Sequence, residues 1–209
     1  MDAQAILNFI EEIGVLKNLP RTGWRFRGIK DAESVAEHCY RVPLLSMLLA
    51  DVLTEQGVPL NAEKVMRIAL LHEVAEARIG DVPFPALEYI PESVKAAGER
   101  AALQSMFEKF GSFRQIYIEL WEEFEEGTSL EGKLVRAADK LELMLQVFEY
   151  EKVGYRSLDK FWTNAWNQRG FDDYPLVREI MAILVERRKH EIGIQDTRCK
   201  MQDSSDSAS

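Results

Sequence analysis

Apolar side chains recur every three or four residues along most of this chain, and nowhere do they alternate over the length of a strand. Ile6, Phe9, Ile10, Ile13 and Leu16 make one such stripe, and Leu44, Leu45, Leu48, Leu49 and Val52 another. A helix buries one face with that spacing, whereas a half-buried strand needs a period of two, so the pattern dictates an all-α bundle. Helices are predicted over 3–16, 35–56, 62–79, 91–110, 113–126, 130–151, 158–169 and 174–193. The breaks agree: Pro20, Thr22 and Gly23 interrupt the first connection, Gly57 and Pro59 the second, and Gly80, Pro83 and Pro85 the third. No internal repeat or long linker divides the 209 residues. One helical domain is expected over 1–190, followed by a flexible polar tail over 191–209 that ends in MQDSSDSAS.

Charge narrows the function classes. Lys and Arg number 26 against 35 Asp and Glu, a net of −9 that repels polyanions and disfavours binding to a nucleic-acid polymer. An anionic ligand must therefore be held locally. The cysteines, Cys39 and Cys199, make no disulfide framework, and no apolar run is long enough for a membrane span. MDAQAILNF has no basic start and apolar core of a leader, so a cytoplasmic location is expected.

Two helix starts fix the chemistry in space. Ser34 followed by Glu37 reads as a capping box, which puts His38 near the end of a first helical turn. Asn61 caps the next helix, where the stripe Val65, Ile68, Ala69 and His72 carries a histidine onto the buried face. Glu76 lies four residues after His72 on the same face, and Glu73 about 100° round from it. On the helix KLVRAADKLELMLQVFEYE, Asp139 falls on the apolar face marked by Val135, Ala138 and Leu145. A buried aspartate there needs a partner or a cation; the alternative to a cation is a salt bridge to Arg136 or Lys140, but both are expected on diverging faces. Each histidine alone also fits a satisfied core residue. Together, imidazoles and carboxylates from several helices make a ligand set for Mn, Fe, Co, Ni or Zn.

The order His38, then His72 with an acid directly after it, then Asp139, resembles the HD-domain metal-dependent phosphohydrolases. The segments LKNLPRTGW (16–24), ESVAEHCYRV (33–42), LLHEVAEARIGD (70–81), LWEEFEEG (120–127) and AADKLELMLQVFEYE (137–151) are similar to the branch that contains the bacterial 5′-deoxynucleotidase and its eukaryotic relatives. The resemblance implies an all-α HD-type bundle and a divalent metal, Mn, Co, Ni, Fe, Mg or Zn, held by His38, His72, Glu73 and Asp139. It also implies that Glu76 and Asp81 lie beside the substrate phosphate as catalytic residues. Without it, Glu76 reads equally as a surface partner for Arg78 or Lys64, and Asp81 as a turn residue after Gly80. One departure stands out: the family's His-Asp pair is His72-Glu73 here, one methylene longer.

Residues 17–30 carry Lys17, Arg21, Arg25, Arg27 and Lys30 and no acid, a local reversal of the overall charge. Arg21 and Trp24 are expected to grip a substrate, the arginine taking phosphate oxygens and Trp24 or Phe26 stacking on a base or sugar. The alternative is a solvated loop with Trp24 packed on the bundle. Arg41 lies on the His38 face and reaches either phosphate or Glu37. Phe161, Trp162, Trp166 and Phe171 read as core or subunit interface, and His190 as exposed. The committed reading is a metal-dependent phosphomonoesterase acting on (deoxy)nucleoside 5′-monophosphates, a small-molecule enzyme expected as a homodimer, with no membrane and no nucleic-acid polymer as partner. The rival is a non-catalytic HD-fold nucleotide-binding or interaction protein whose metal site Glu73 has weakened.

Overall fold

The longest helix explains the architecture. Residues Leu134, Val135, Ala137, Ala138, Leu141, Met144 and Val147 are buried around most of its circumference, so it must be enclosed by other helices on nearly every side. The computed structural model describes residues 2–193. The helices are α1 (Ala3–Ile13), α2 (Thr22–Arg25), α3 (Val35–Glu55), α4 (Ala62–Leu71), α5 (Glu76–Ile79), α6 (Glu92–Met106), α7 (Phe113–Glu126), α8 (Leu130–Lys152), α9 (Asp159–Thr163) and α10 (Pro175–Ile192). Helices α3, α4, α7 and α10 pack around α8. Among the described residues there is no strand, only one isolated bridge between Pro20 and Ser34, and no helix long and apolar enough to cross a membrane. The all-α reading holds.

The predicted starts are realised. Ser34 and Glu37 form a reciprocal capping box on α3, and the Asn61 side chain accepts from the Lys64 N–H at 3.1 Å to cap α4. Four stretches differ. The helix expected over 62–79 stops at Leu71: hydrogen bonds from Val74 to Leu71 and from Glu76 to Glu73 are of the tighter i to i+3 kind, and regular α-helix resumes only for Glu76–Ile79. The helix expected over 158–169 is broken at Asn164, whose side chain caps a short 3₁₀ turn. Short turns at Thr22–Arg25 and Phe84–Glu88 lie where the sequence shows only Pro and Gly punctuation. The expected tail lies outside the described residues from position 194 onward, as does Cys199; Ile192 still ends α10, which Gly193 caps in the left-handed conformation.

Two apolar clusters share the interior. The larger surrounds α8, and the smaller joins α1, α6 and α7 through Phe107, Phe110 and Trp121. Ile68 and Ala69 belong to the first cluster, while Val74 and Ala75 belong to the second. His72 and Glu73 therefore sit where the chain crosses from one core to the other.

Candidate metal centre

Each helix delivers its ligand for a local reason. The Ser34 cap holds the first turn of α3, so His38 enters the bundle with 0% exposure and no freedom to swing out. Its Nδ1 lies 2.6 Å from Glu142 Oε2, one turn along α8 from Asp139. His72 closes α4 and donates from Nδ1 to the Ala69 carbonyl at 2.7 Å; a carbonyl can only accept, so the proton is on Nδ1 and Nε2 is left as a lone pair. That lone pair faces His38 Nε2 at 3.4 Å. Asp139 Oδ1 lies 3.2 Å from His38 Nε2 without a well-formed hydrogen bond.

The four predicted ligands do converge. One donor atom each from His38, His72, Glu73 and Asp139 lies within 4.8 Å of all the others. A cation with bonds of about 2.0–2.3 Å spreads opposite ligands to about 4.6 Å, so the cluster is close to the size required. The donor set of two imidazoles and two carboxylates fits a borderline divalent ion. The electrostatics agree. Burial and the Arg21 charge both work against a positive His38, yet its contacts with Asp139 and Glu142 raise it to about 9. The pocket thus stabilises positive charge at the point where the donors meet. Burial also opposes ionised Asp139 and Glu73, but Lys140, His38 and His72 hold Asp139 well below its ordinary value, and His72, Arg21 and Lys95 hold Glu73 at about 2. Burial lowers His72, in the direction of the neutral imidazole that binds a metal.

Three of the four, His72, Glu73 and Asp139, line a cleft of about 1050 Å³. Glu76 is 3% exposed with Oε2 unpartnered, and burial followed by repulsion from Glu73 and Asp81 raises its carboxyl well above the ordinary value. The surface pairings open to Glu76 from sequence do not form: Arg78 bonds Glu12, and Lys64 bonds Glu123 at 2.7 Å. Asp81 lines the cleft and accepts the Thr22 N–H, tying the loop after Gly80 to the start of α2. Gly80 makes this turn at φ 78°, a conformation that favours glycine. Arg21 is clamped by hydrogen bonds between Arg21 N and Glu33 O (2.9 Å) and between Val35 N and Leu19 O (2.8 Å), and its guanidinium reaches Glu73 at 3.0 Å.

Other expectations fail on position. Trp24 borders the cleft but is 1% exposed; Tyr150 and Phe161 pack its ring and its Nε1 donates to Glu33, so it has no free face for a base and supports the wall from behind. Arg41 points away from the cleft to Glu149 (2.8 Å) and Glu142 (3.3 Å), on the far side of His38, and does not pair with Glu37. Lys140, discounted as a partner for Asp139, curls back to it at 2.9 Å because its long stem spans the diverging faces. Phe161 and Trp166 line the cleft, although Trp162 and Phe171 are core as expected, and His190 is exposed.

Sequence reasoning missed Glu142, Lys95 and Glu99. Asp139, Glu142 and Gln146 follow one another at i, i+3 and i+7, a polar stripe on a buried helix that is visible in the sequence once α8 is taken as central. Lys95 lines the cleft from α6, bonded to the buried Glu99, whose carboxyl burial raises to about 7. Their i,i+4 spacing is visible in the sequence but reads as an ordinary surface ion pair, and nothing local turns it toward the cleft.

Comparison with known proteins adds the family relationship. A family model described as the HD domain matches residues 13–172. The human protein named 5′-deoxynucleotidase HDDC2 is 36% identical over 194 residues, covering 91% of this chain and 90% of its own length. The Schizosaccharomyces pombe 5′-deoxynucleotidase hdd1 is 31% identical over 193 residues, covering 88% of this chain and 91% of its own. A conserved hypothetical protein from Pyrococcus furiosus superposes with a TM-score of 0.73 at 36% identity, over 88% of this chain and 99% of that one.

Proposed function

The chain belongs to the HD-domain family, in the branch of the 5′-deoxynucleotidases, and from that premise we propose that it is a metal-dependent phosphomonoesterase releasing phosphate from (deoxy)nucleoside 5′-monophosphates. The observation that carries the reading is the convergence of His38, His72, Glu73 and Asp139 on one point, with the last three lining a cleft. These four would hold the divalent ion, which when bound supplies Lewis acidity to the phosphoryl oxygens and the attacking water. Arg21 and Lys140, now paired with the ligand carboxylates Glu73 and Asp139, stand where phosphate oxygens must arrive, and Lys95 joins them from the α6 wall. Glu76 turns a buried, unpartnered Oε2 into this space, and we assign to that atom the orientation and proton exchange of the attacking water. Asp81, which lines the same cleft, helps to position it while anchoring the start of α2.

The metal's identity, within Mn, Co, Ni, Fe, Mg and Zn, and the preference for deoxyribose are part of the proposal; the relatives' names point to deoxyribonucleotides. So are a cytoplasmic location and a homodimer. Supporting the dimer, Tyr40, Leu44, Leu48 and Val52 form an apolar stripe on the outer face of α3, exposed by 71%, 43%, 54% and 39%. The test of function is phosphate release from dAMP, dGMP, TMP and AMP by protein stripped and reloaded with each metal. Release from at least one of these nucleotides, dependent on metal, is expected. No release from any of them by protein that demonstrably holds metal would overturn the assignment in favour of a binding protein.

A further inference from the structure

Two aromatic side chains from separate turns meet in the lining of the cleft. Phe84 comes from the turn after Asp81, and Trp166 from the turn after α9; their ring centroids lie 5.5 Å apart. The Arg169 guanidinium lies over the Trp166 ring at 3.5 Å, while the Phe84 ring is tilted by 53° to the indole. All three line the same cleft as the metal cluster.

Both segments are stiff, and neither aromatic is in the core. Pro83 and Pro85 flank Phe84, which is 51% exposed. The Asn164 side chain caps the turn at Trp166 N (3.0 Å), Asn167 donates to the Phe161 carbonyl (3.0 Å), and Gln168 donates to the Trp162 carbonyl (3.0 Å). The half-exposed Phe84 ring, and the part of the Trp166 ring that Arg169 leaves uncovered, offer π surface held in place for a planar heteroaromatic ring, because stacking needs flat faces fixed in advance and little else.

Resting on the phosphomonoesterase reading, we propose that Phe84, Trp166 and Arg169 form the nucleobase subsite of this cleft, holding the base by stacking while the phosphate lies at the cluster. Stacking accepts every base, since every base has a π face, so dAMP, dGMP and TMP should differ little in KM.

The test compares Phe84→Ala and Trp166→Ala with the unaltered protein on a deoxynucleoside monophosphate and on 2-deoxyribose 5-phosphate, which lacks the base. Loss of a stacking partner should raise KM for the nucleotide about 5- to 100-fold with kcat within about twofold, and leave the sugar phosphate unchanged. Trp166→Phe should restore most of the loss, and Phe84→Ala guards against misfolding because that ring is half exposed. Equal KM increases on both substrates, or none on either, would overturn the subsite. If the unaltered protein hydrolyses no phosphomonoester, the function reading has failed, and calorimetric titration with deoxyadenosine then decides the subsite alone. Binding weakened by Phe84→Ala supports it; no binding, or binding indifferent to the substitution, rejects it.

Discussion

His38 Nε2 and His72 Nε2 face each other at 3.4 Å, brought together from helices whose histidines are 34 residues apart in sequence. Their Nδ1 atoms are turned outward to Glu142 and to the Ala69 carbonyl, so both rings present the same nitrogen to one point. Two imidazole lone pairs cannot face each other this closely with nothing between them. A proton on His38 meets that need partly; a divalent cation also engages Glu73 and Asp139.

Removing any one of these donors should uncouple the rest. His72→Ala and Asp139→Ala are expected to lose metal content and activity together, by at least about 100-fold in metal affinity, since even an indirect partner of a metal ligand is worth about 10–100-fold. Mass spectrometry on purified variants and a Mn²⁺ titration followed by thermal shift provide the check. Full activity in either variant would refute the site.

Much of this arrangement was legible in the sequence because it rests on helical spacing. The Ser34–Glu37 box, the Asn61 cap and the apolar stripes fix where His38, His72 and Asp139 stand on their helices, and the order of the blocks relates those helices to one another. What could not be read depends on distant side chains. The basic loop around Trp24 reads as a stacking platform in sequence, but Tyr150 and Phe161, more than 120 residues away, enclose the ring. Arg41 shares the face of His38 near one end of α3, yet acids on α8 draw it to the far side. The break after Leu71 has no proline or glycine to announce it, and arises where the chain passes between two cores.

Glu142 orients His38 rather than meeting the metal. Glu142→Gln should leave the fold intact but weaken metal binding about 10–100-fold, because a glutamine can donate to Nδ1 and favour the wrong tautomer. Calorimetric titration of the apo protein with Mn²⁺ or Co²⁺ measures this directly. Unchanged affinity would show that the 2.6 Å contact is structural only.

The capping box gives a pH prediction away from the cleft. The Ser34 N–H at 2.6 Å and hydroxyl at 2.9 Å hold the Glu37 carboxyl below its ordinary value. A carboxyl depressed in the folded state contributes stability above its unfolded pKa of about 4.5, and that contribution fades as pH falls through the lower folded value. The melting-temperature gap between the unaltered protein and Glu37→Ala should therefore be full at pH 6–7 and close below about pH 4.5. At neutral pH Ser34→Ala should cost about 1 kcal/mol.

Gly132 lies where α8 crosses α7. A methyl group added there would come within 2.2 Å of the Glu123 carbonyl oxygen, a backbone atom that cannot turn aside. Gly132→Ala should destabilise by about 1–3 kcal/mol through separation of the two helices, measured by chemical denaturation. A neutral result would mean that α7 shifts freely.

Glu73 decides whether the longer acid is a working ligand. Its Oε1 is 3.0 Å from Arg21, and a donor atom of the same carboxylate lies within the four-ligand cluster, so it joins the metal centre to the phosphate grip. Glu73→Asp withdraws the carboxylate by one methylene toward the arrangement that the resemblance implies. If the helix break after Leu71 lets the shorter side chain reach the same point, metal affinity and turnover should be kept or raised, with the order of preferred metals altered. Glu73→Gln keeps the length and removes the charge; it should weaken metal binding about 10–100-fold and also loosen Arg21, raising KM for the nucleotide. Measuring metal content and kinetics in both variants separates the causes. Loss of metal in the glutamine variant alone identifies charge as the requirement, whereas loss in both shows that length is required as well, and the longer acid is then fitted to this chain's own helix geometry. Activity indifferent to both substitutions would remove Glu73 from the ligand set while leaving His38, His72 and Asp139 to account for the metal.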